Sequence, residues 1–309
     1  MFKELSEEAG IDFRHKEAKF DAQLDPIMPQ IAGLGAALSI TDVDQDGWAD
    51  FYVTNSADGA PNALYRNQRD GTFRDIAKEA GIADCNKTGV GASMGSIWAD
   101  IDNDGWEDVF IFKYGYPQLF HHEGLDASGI PHFKDITESS GLHRWLNSNA
   151  ATWIDYDRDG LVDLVVAGYF PDDVDLWHLK TTKIMQDSME FSKNGGSHLL
   201  FKNLGNGKFQ DVTAESGLAG VRWTLAVSSA DFNDDGFPDL FFANDYGTEQ
   251  LYFNDGGKRF VEATNVGLNL TSKSGMSVAA GTAGTAARSM CSSPTFTKRA
   301  TRRRGTISG

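Results

Sequence analysis

The sequence has 309 residues and a net charge of −16, with 28 Lys and Arg against 44 Asp and Glu. An acidic balance of this size argues against nucleic acid as a partner, and no apolar run approaches the roughly 18 residues that a membrane span requires. Two Cys are too few for a disulfide scaffold or a four-thiolate zinc site. The 33 Gly favour many turns between short strands.

Three short strings recur in the same order along the chain, which opens inside the third of them, FKELSEEAGI at residues 2–11. The first string is an acidic nonapeptide, D-x-[DN]-x-D-G-x-x-D, at residues 42–50, 100–108, 155–163 and 231–239. The second reads LYRN, LFHH, LFKN and LYFN, and the third begins at the Phe that follows a glycine-containing turn. Four ordered matches of three strings indicate an internal repeat.

Each repeat has the pattern of four strands. A stretch of small residues such as GAALSIT leads into the acidic string, and an apolar run follows directly, which reads FYVT, VFIF, LVVA or LFFA. The LYRN-type string is a third strand, and a hairpin turn leads to a fourth. Each repeat ends in a sequence such as TESSG, which predicts one helical turn opened by Ser or Thr and closed by Gly. The fold class is therefore all-β, a β-propeller with four complete four-stranded antiparallel blades and partial ones.

The acidic strings predict metal-binding loops. Alternate residues point the same way, so side chains at positions one, three and five converge on one cation, and Gly at position six permits a sharp turn. That turn brings the carbonyl of position seven and the carboxylate of position nine around the ion. Oxygen-only ligands suit Ca²⁺ better than Zn²⁺ or copper, so we expect about four Ca²⁺ ions.

The predicted ligands occupy the same five positions in each loop. Loop one (42–50) offers Asp42, Asp44, Asp46, the Trp48 carbonyl and Asp50. Loop two (100–108) offers Asp100, Asp102, Asp104, the Trp106 carbonyl and Asp108. Loop three (155–163) offers Asp155, Asp157, Asp159, the Leu161 carbonyl and Asp163. Loop four (231–239) offers Asp231, Asn233, Asp235, the Phe237 carbonyl and Asp239.

Two other interpretations of these loops fit the sequence less well. An EF-hand needs a bidentate Glu at loop position twelve, where this chain has Val53, Ile111, Val166 and Phe242 inside apolar runs. The second alternative is that they are ordinary Asp-Gly turns on a solvated rim, which would not require carboxylates at several positions together. We therefore expect metal-binding loops that join strands.

The three strings together resemble FG-GAP/VCBS-type repeats. Over residues 2–281 their sequences are similar to those of the cartilage acidic protein (ASPIC/UnbV-type) family. The resemblance implies an incomplete seven- or eight-bladed calcium-binding β-propeller related to integrin α-subunit heads. It also implies a secreted, periplasmic or cell-surface location and binding or adhesion to a protein or glycan. It supplies no catalytic residues. We expect no signal peptide, because Met1 runs directly into a repeat string.

Two other functions remain open. Related propellers can act on polysaccharides or redox substrates at the central channel, but the predicted innermost strands here consist of small and apolar residues. The domain can also be a spacer within a longer protein. We expect binding rather than catalysis.

Two segments depart from the repeat. Residues 171–197 form an insertion in which Trp177 and His178 are candidates for ligand contact, although a surface loop without a binding role is the alternative. After Glu262 the chain has seven basic residues and no acid, so residues 1–262 carry a net charge of −23. We interpret the basic tail at 282–309 as the product of a reading-frame shift and expect it to be disordered.

Overall fold

The computed structural model describes residues 3–28, 35–264, 275–282 and 289–292. It contains a 3-10 helix at Ala22–Ile27 and two single-turn helices, α1 (Ala77–Ala80) and α2 (Thr137–Ser140). The remaining elements are strands, which fall into four sets of four and a final pair.

The strands follow the chain in this order. Blade one contains β1 (Leu38–Thr41), β2 (Asp50–Val53), β3 (Ala63–Asn67) and β4 (Phe73–Asp75). Blade two contains β5 (Gly91–Ala99), β6 (Asp108–Gly115), β7 (Gln118–Leu125) and β8 (Pro131–Asp135). Blade three contains β9 (Leu146–Ile154), β10 (Asp163–Gly168), β11 (Gly196–Asn203) and β12 (Phe209–Asp211). Blade four contains β13 (Gly220–Ala230), β14 (Asp239–Tyr246), β15 (Gln250–Asn254) and β16 (Phe260–Glu262), and the final pair is β17 (Ala279–Thr282) and β18 (Ser289–Ser292).

Within each blade the strands pair antiparallel in chain order. Every acidic loop joins the first strand to the second, and its position-nine Asp is the first residue of the second strand. The register is the same in all four blades, with the pairs Thr41↔Asp50, Ala99↔Asp108, Ile154↔Asp163 and Ala230↔Asp239. The structure confirms the predicted all-β architecture, and the sheet that it describes is not closed into a ring.

The central parts of β6, β10 and β14 are apolar because both faces of these strands are buried. In β6, Val109 and Ile111 pack with the core of blade one, whereas Phe110 and Phe112 pack toward blade three. The same alternation occurs in β10 and β14. A strand covered on both faces reads as a continuous apolar run, and each such side chain contributes about 1.5–3 kcal/mol through its burial.

Neighbouring blades are also joined through the main chain. The end of β6 pairs with β9, and β11 pairs with β13. The turn that closes each repeat contacts the blade that follows, and the opening string does the same, since Phe73 N–H donates to Ala9 O at 2.8 Å. At the equivalent place Phe260 N–H donates to Ser216 O at 2.6 Å. A Cβ at Gly217 would lie 2.9 Å from Phe260 O, so this joint needs glycine.

The helical turns start differently from the prediction. Thr137 is the first helical residue of α2, and Ile136 at the N-cap has no capping side chain. The capping acceptor is instead Asp135, whose Oδ1 accepts the Thr137 N–H at 2.9 Å. The left-handed closing glycine is confirmed at Gly141, with a φ of 89°.

The insertion packs on the N-terminal segment. Asp21 N–H donates to Leu176 O at 2.8 Å, and Leu179 N–H donates to the Asp21 carboxylate at 2.9 Å. Leu24 and Leu176 are buried in the core between blades two and three. Strand β11 begins at Gly196, so the last two residues of the predicted insertion belong to this strand.

Little of the basic tail lies within the described residues. Ser289–Ser292 pair with Ala279–Thr282 as a two-stranded sheet. The rest of the segment 283–309, which we expect to be disordered, lies outside the described residues. Within the described part, no helix combines the length and apolar character needed to cross a membrane.

Candidate metal centres

The four acidic loops share one backbone conformation. Position six is a left-handed Gly in each, and position four is also left-handed, for example at Asn103 with a φ of 60°. The position-one carboxylate accepts the N–H groups of positions five and six, as Asp100 does from Asp104 at 3.1 Å and Gly105 at 2.9 Å. The position-five carboxylate accepts the N–H of position seven in all four loops. The glycine was predicted, whereas the left-handed residue at position four was not.

The position-nine Asp fastens the loop to the blade. Its side chain is buried, and its two oxygens accept N–H groups from position two and from the third strand. In blade three, Asp163 accepts from Tyr156 at 3.2 Å and from Asn203 at 2.8 Å. The other three members make the same pair of bonds: Asp50 from Val43 and Asn67, Asp108 from Ile101 and His122, and Asp239 from Phe232 and Asn254.

Burial makes a negative charge costly at position nine. It raises the pKa of Asp50 and of Asp108 to about 6 and that of Asp163 to about 7, while the N–H donors act in the opposite direction. Burial raises the pKa of Asp239 as well. A cation beside these carboxylates would favour their charged form.

Positions one, three and nine converge in loops one to three. In each of these loops one carboxylate oxygen from every member lies within 4.8 Å of the others. The three sets are Asp42, Asp44 and Asp50; Asp100, Asp102 and Asp108; and Asp155, Asp157 and Asp163. In loop four the side chain of Asn233 takes position three and donates to Asp235 at 2.9 Å.

Position seven differs between loops. The Trp48 side chain is 49% exposed, and the Trp106 ring stacks on His122 at a centroid distance of 4.6 Å. The Arg158 guanidinium lies 5.5 Å from the Phe237 ring centroid. The main-chain N–H of each position-seven residue donates to the position-five carboxylate of its loop.

A basic residue of the third strand faces each of the three convergent clusters. Arg66 Nη2 lies 2.5 Å from Asp44 Oδ2, and His121 Nε2 lies 3.1 Å from Asp102 Oδ2. Lys202 Nζ contacts Asp157 and Asp159. The sequence analysis did not predict these contacts. The third residue of the third-strand string could have indicated them, since it varies between blades: Arg66, His121, Lys202 and Phe253.

Several buried oxygens in these clusters have no hydrogen-bond donor among the described residues. They are the Oδ1 atoms of Asp44, Asp102 and Asp157, whereas Asp44 Oδ2 is held by the Arg66 guanidinium. The Asp44 side chain is only 1% exposed and has the Arg66 ion pair as its charge partner. Orphaned, buried carboxylate oxygens in an oxygen-only donor set fit Ca²⁺ at positions one, three and nine.

The last residue of the third-strand string links each loop to the loop of the preceding blade. Asn203 Nδ2 donates to Val162 O within its blade and to Ile101 O in loop two, and Asn254 Nδ2 donates to Tyr156 O in loop three. In blade two His122 takes this place, with its Nε2 3.1 Å from Val43 O and its Nδ1 accepting the Gly124 N–H. The acidic loops are therefore coupled from blade to blade.

The two insertion residues have different surroundings. Trp177 is buried, and its ring lies 5.3 Å from that of Phe20 and 6.0 Å from that of Trp145, so most of its side chain is part of the core. His178 is exposed and lies 3.0 Å from Asp175.

A cavity of about 770 Å³ lies at the opposite ends of the blades. Its lining includes Tyr116 and Gln118, at the end of β6 and the start of β7, and Lys113, which is buried. The Tyr116 ring stacks on His143 at 4.5 Å. Strand β6 spans from acidic loop two to this cavity, so the two are separated by the length of the blade.

Comparisons with known proteins identify the repeats. The family model described as FG-GAP-like repeat matches residues 42–111, 100–166, 191–242 and 231–281. Cartilage acidic protein 1 of Mus musculus is 29% identical over 102 residues, and that of Homo sapiens is 28% identical over 102 residues. These alignments cover 33% of this chain but only 15% and 14% of the relatives, so the match spans a small part of their length. Both findings agree with the family expected from the sequence.

A solved structure of an Agrocybe aegerita lectin, which recognises non-reducing terminal N-acetylglucosamine, covers 78% of this chain, and the match covers 69% of the lectin. Its sequence identity is 15% and its TM-score is 0.30. A likeness this distant says nothing about the ligand of this chain.

Proposed function

This chain belongs to the FG-GAP-like repeat family, and from that premise we propose that it is a calcium-stabilised β-propeller domain that binds a protein or glycan outside the cell. One observation carries the metal assignment. In loops one to three, carboxylates from positions one, three and nine converge within 4.8 Å, and buried oxygens among them have no hydrogen-bond donor in the described part.

Calcium would have a structural role in this arrangement. When bound, it supplies two positive charges at the junction between the first and second strands, where each cluster holds several carboxylates. The position-nine Asp is already fixed by two main-chain N–H groups, so it presents its carboxylate without further ordering. For sites with affinities of extracellular modules, roughly 10⁻⁴–10⁻³ M, millimolar calcium adds about 0.4–1.4 kcal/mol of stability per site.

Calcium sites of this affinity would fit an extracellular, periplasmic or surface location. Sites that need millimolar calcium are filled outside the cell and stay empty at cytosolic concentrations. The cartilage acidic protein relatives fit the same proposal, although the match spans only a small part of their length.

We propose binding rather than catalysis. Where the innermost strands β1 and β5 meet, the contact is between uncharged groups, Ser39 Oγ with Ser96 Oγ at 2.6 Å and with the Trp98 indole N–H at 2.8 Å. The cavity beside Tyr116 offers a ligand an aromatic ring together with polar groups such as Gln118, a combination that suits a glycan or a peptide.

Calcium titration of the metal-free chain tests the proposal. We expect binding heat by isothermal calorimetry and a rise in melting temperature at millimolar calcium. Asp157→Asn removes a ligand charge from loop three and should weaken binding, whereas Glu215→Gln removes an exposed charge outside the loops and serves as the control. Absence of both heat and a thermal shift in the unmodified chain would refute the calcium assignment.

A further inference from the structure

The residue at position three of each acidic loop correlates with the third-strand residue opposite it: Asp faces a basic residue, and Asn does not. Loops one to three have Asp at position three and face Arg66, His121 and Lys202, respectively. Loop four has Asn233 at position three, and the corresponding third-strand residue is Phe253, which packs with the apolar cluster of Phe241 and Leu251. The loop with one carboxylate fewer is thus the loop without a basic partner at this place.

The contacts of Arg66 show how close this partner comes to the cluster. Its guanidinium lies 2.5 Å from Asp44, whose oxygens belong to the convergent set of loop one and lack any other donor among the described residues. In loop three the Lys202 ammonium contacts Asp157 and lies 3.0 Å from Asp159 Oδ2, so one cation bridges positions three and five.

We propose that Arg66 and Lys202 are tethered counter-ions that substitute for calcium in the metal-free protein and that calcium must displace. This inference rests on the proposed calcium function. A basic side chain held beside a ligand carboxylate repels a divalent ion and occupies one oxygen of that carboxylate. It therefore lowers the affinity of the loop for calcium. It also neutralises buried like charges when calcium is absent, so it stabilises the metal-free blade.

Two opposite effects of one substitution follow. Replacing Arg66 by Met should tighten metal binding at loop one and, at the same time, lower the melting temperature of the metal-free protein. Because the Arg66 side chain is partly exposed, solvent screening limits the gain, and we expect an affinity increase of about tenfold. A merely structural role for Arg66 would lower stability without improving affinity.

Terbium luminescence can isolate loop one. Trp48 at position seven can sensitise a lanthanide bound in its loop. Trp106→Phe and Tyr156→Phe remove the sensitisers of loops two and three, since Phe237 and Phe232 of loop four show that Phe is accommodated at positions seven and two. In this background we would titrate Tb³⁺ into the Arg66→Met variant and into an Arg74→Met control. Arg74 belongs to the same blade, but its exposed guanidinium pairs with Glu79 and not with an acidic loop.

The expected result is tighter Tb³⁺ binding in Arg66→Met and unchanged binding in Arg74→Met. If Arg66→Met does not fold without metal, Arg66→Gln keeps a neutral donor to Asp44 and should show the same direction of change. Lys202→Met, followed by calcium calorimetry with Lys208→Met as its control, tests loop three independently.

The outcomes separate this inference from the proposed function. Failure of the unmodified chain to bind calcium or terbium would overturn the proposed function. Binding by the unmodified chain with equal or weaker binding by Arg66→Met, Arg66→Gln and Lys202→Met would overturn the tethered counter-ion alone.

Discussion

Asn203 on β11 donates a 2.7 Å hydrogen bond from Nδ2 to the carbonyl oxygen of Ile101, in the acidic loop of the preceding blade. The bond joins residues 102 positions apart and connects two candidate metal centres directly. A disturbance in one loop therefore reaches the next loop through a side-chain amide.

His122 should be replaceable by Asn but not by an apolar residue. It occupies the place of Asn203 in blade two and makes the equivalent contacts, with Val43 O on one side and Gly124 N–H on the other. We expect His122→Asn to change the free energy of unfolding by less than about 1 kcal/mol, whereas His122→Leu should cost about 1–3 kcal/mol because a buried carbonyl loses its donor. Urea denaturation of both variants measures this difference. Equal losses would show that the imidazole acts through packing and not through its two ring nitrogens.

His198 should make the protein acid-sensitive. It is fully buried, its Nε2 lies 2.8 Å from Thr224 Oγ1, and burial lowers its pKa to about 3. The Thr224 hydroxyl donates to Asn244, so it accepts from the Nε2–H of His198. Among the described residues Nδ1 has no hydrogen-bond partner, so full burial favours the neutral imidazole. Between pH 6.5 and about 3 the unfolded chain binds a proton that the folded chain does not, and stability therefore falls as pH falls.

The corresponding loss from pH 7 to pH 5 is about 2 kcal/mol. It can be measured by denaturant unfolding at both pH values, with His198→Gln as the comparison, because an amide keeps a donor and does not titrate in this range. Parallel pH profiles for the two proteins would contradict the assignment to His198.

The position-nine carboxylate should stabilise the blade even without metal. Asp239 is buried and accepts N–H groups from Phe232 and Asn254, both at 2.8 Å. Asp239→Ala should lower the free energy of unfolding in EDTA by about 2–4 kcal/mol, since two buried donors lose their acceptor. Asp235→Asn, at the exposed position five of the same loop, should cost less than about 1 kcal/mol in EDTA. The two variants are compared by chemical denaturation, and similar losses would argue against a separate structural role for position nine.

Two aromatic residues of the insertion should respond differently to truncation. Trp177 is 9% exposed and packs against Phe20, whereas Phe191 is 65% exposed. Trp177→Ala should lower the free energy of unfolding by about 3–5 kcal/mol through loss of burial, and Phe191→Ala should change it by less than about 1 kcal/mol. Thermal and urea unfolding give both values. A small effect of Trp177→Ala would mean that the insertion can detach without loss of the blades.

The features predicted from sequence are those that a single strand or loop encodes locally. The run from Val109 to Phe112 is apolar because β6 is covered on both faces. This apolar run can be recognised from the amino-acid sequence alone. The glycine of the acidic loop and its spacing to position nine likewise fix the link between first and second strand.

The features that sequence reasoning missed depend on contacts between distant segments. The pairing of Arg66 with Asp44 arises across two strands, and nothing in the spacing of the acidic string indicates it. Trp177 was a candidate for ligand contact, yet it is buried because the insertion packs on residues 18–28, which lie outside any repeat. The N-cap prediction for α2 was wrong because Asp135, one residue before Ile136, already supplies the acceptor.

The joint between successive repeats has a consequence for how such a chain can change over evolutionary time. At Gly10 and Gly217 the closing turn meets the next blade through main-chain atoms, with Phe73 and Phe260 as donors. Because this joint uses a glycine and a main-chain amide, it places little constraint on the side chains of the residues around it. Gene duplication can then preserve the joint while those side chains diverge, and the shared apolar cores set the remaining limit on which modules can be neighbours.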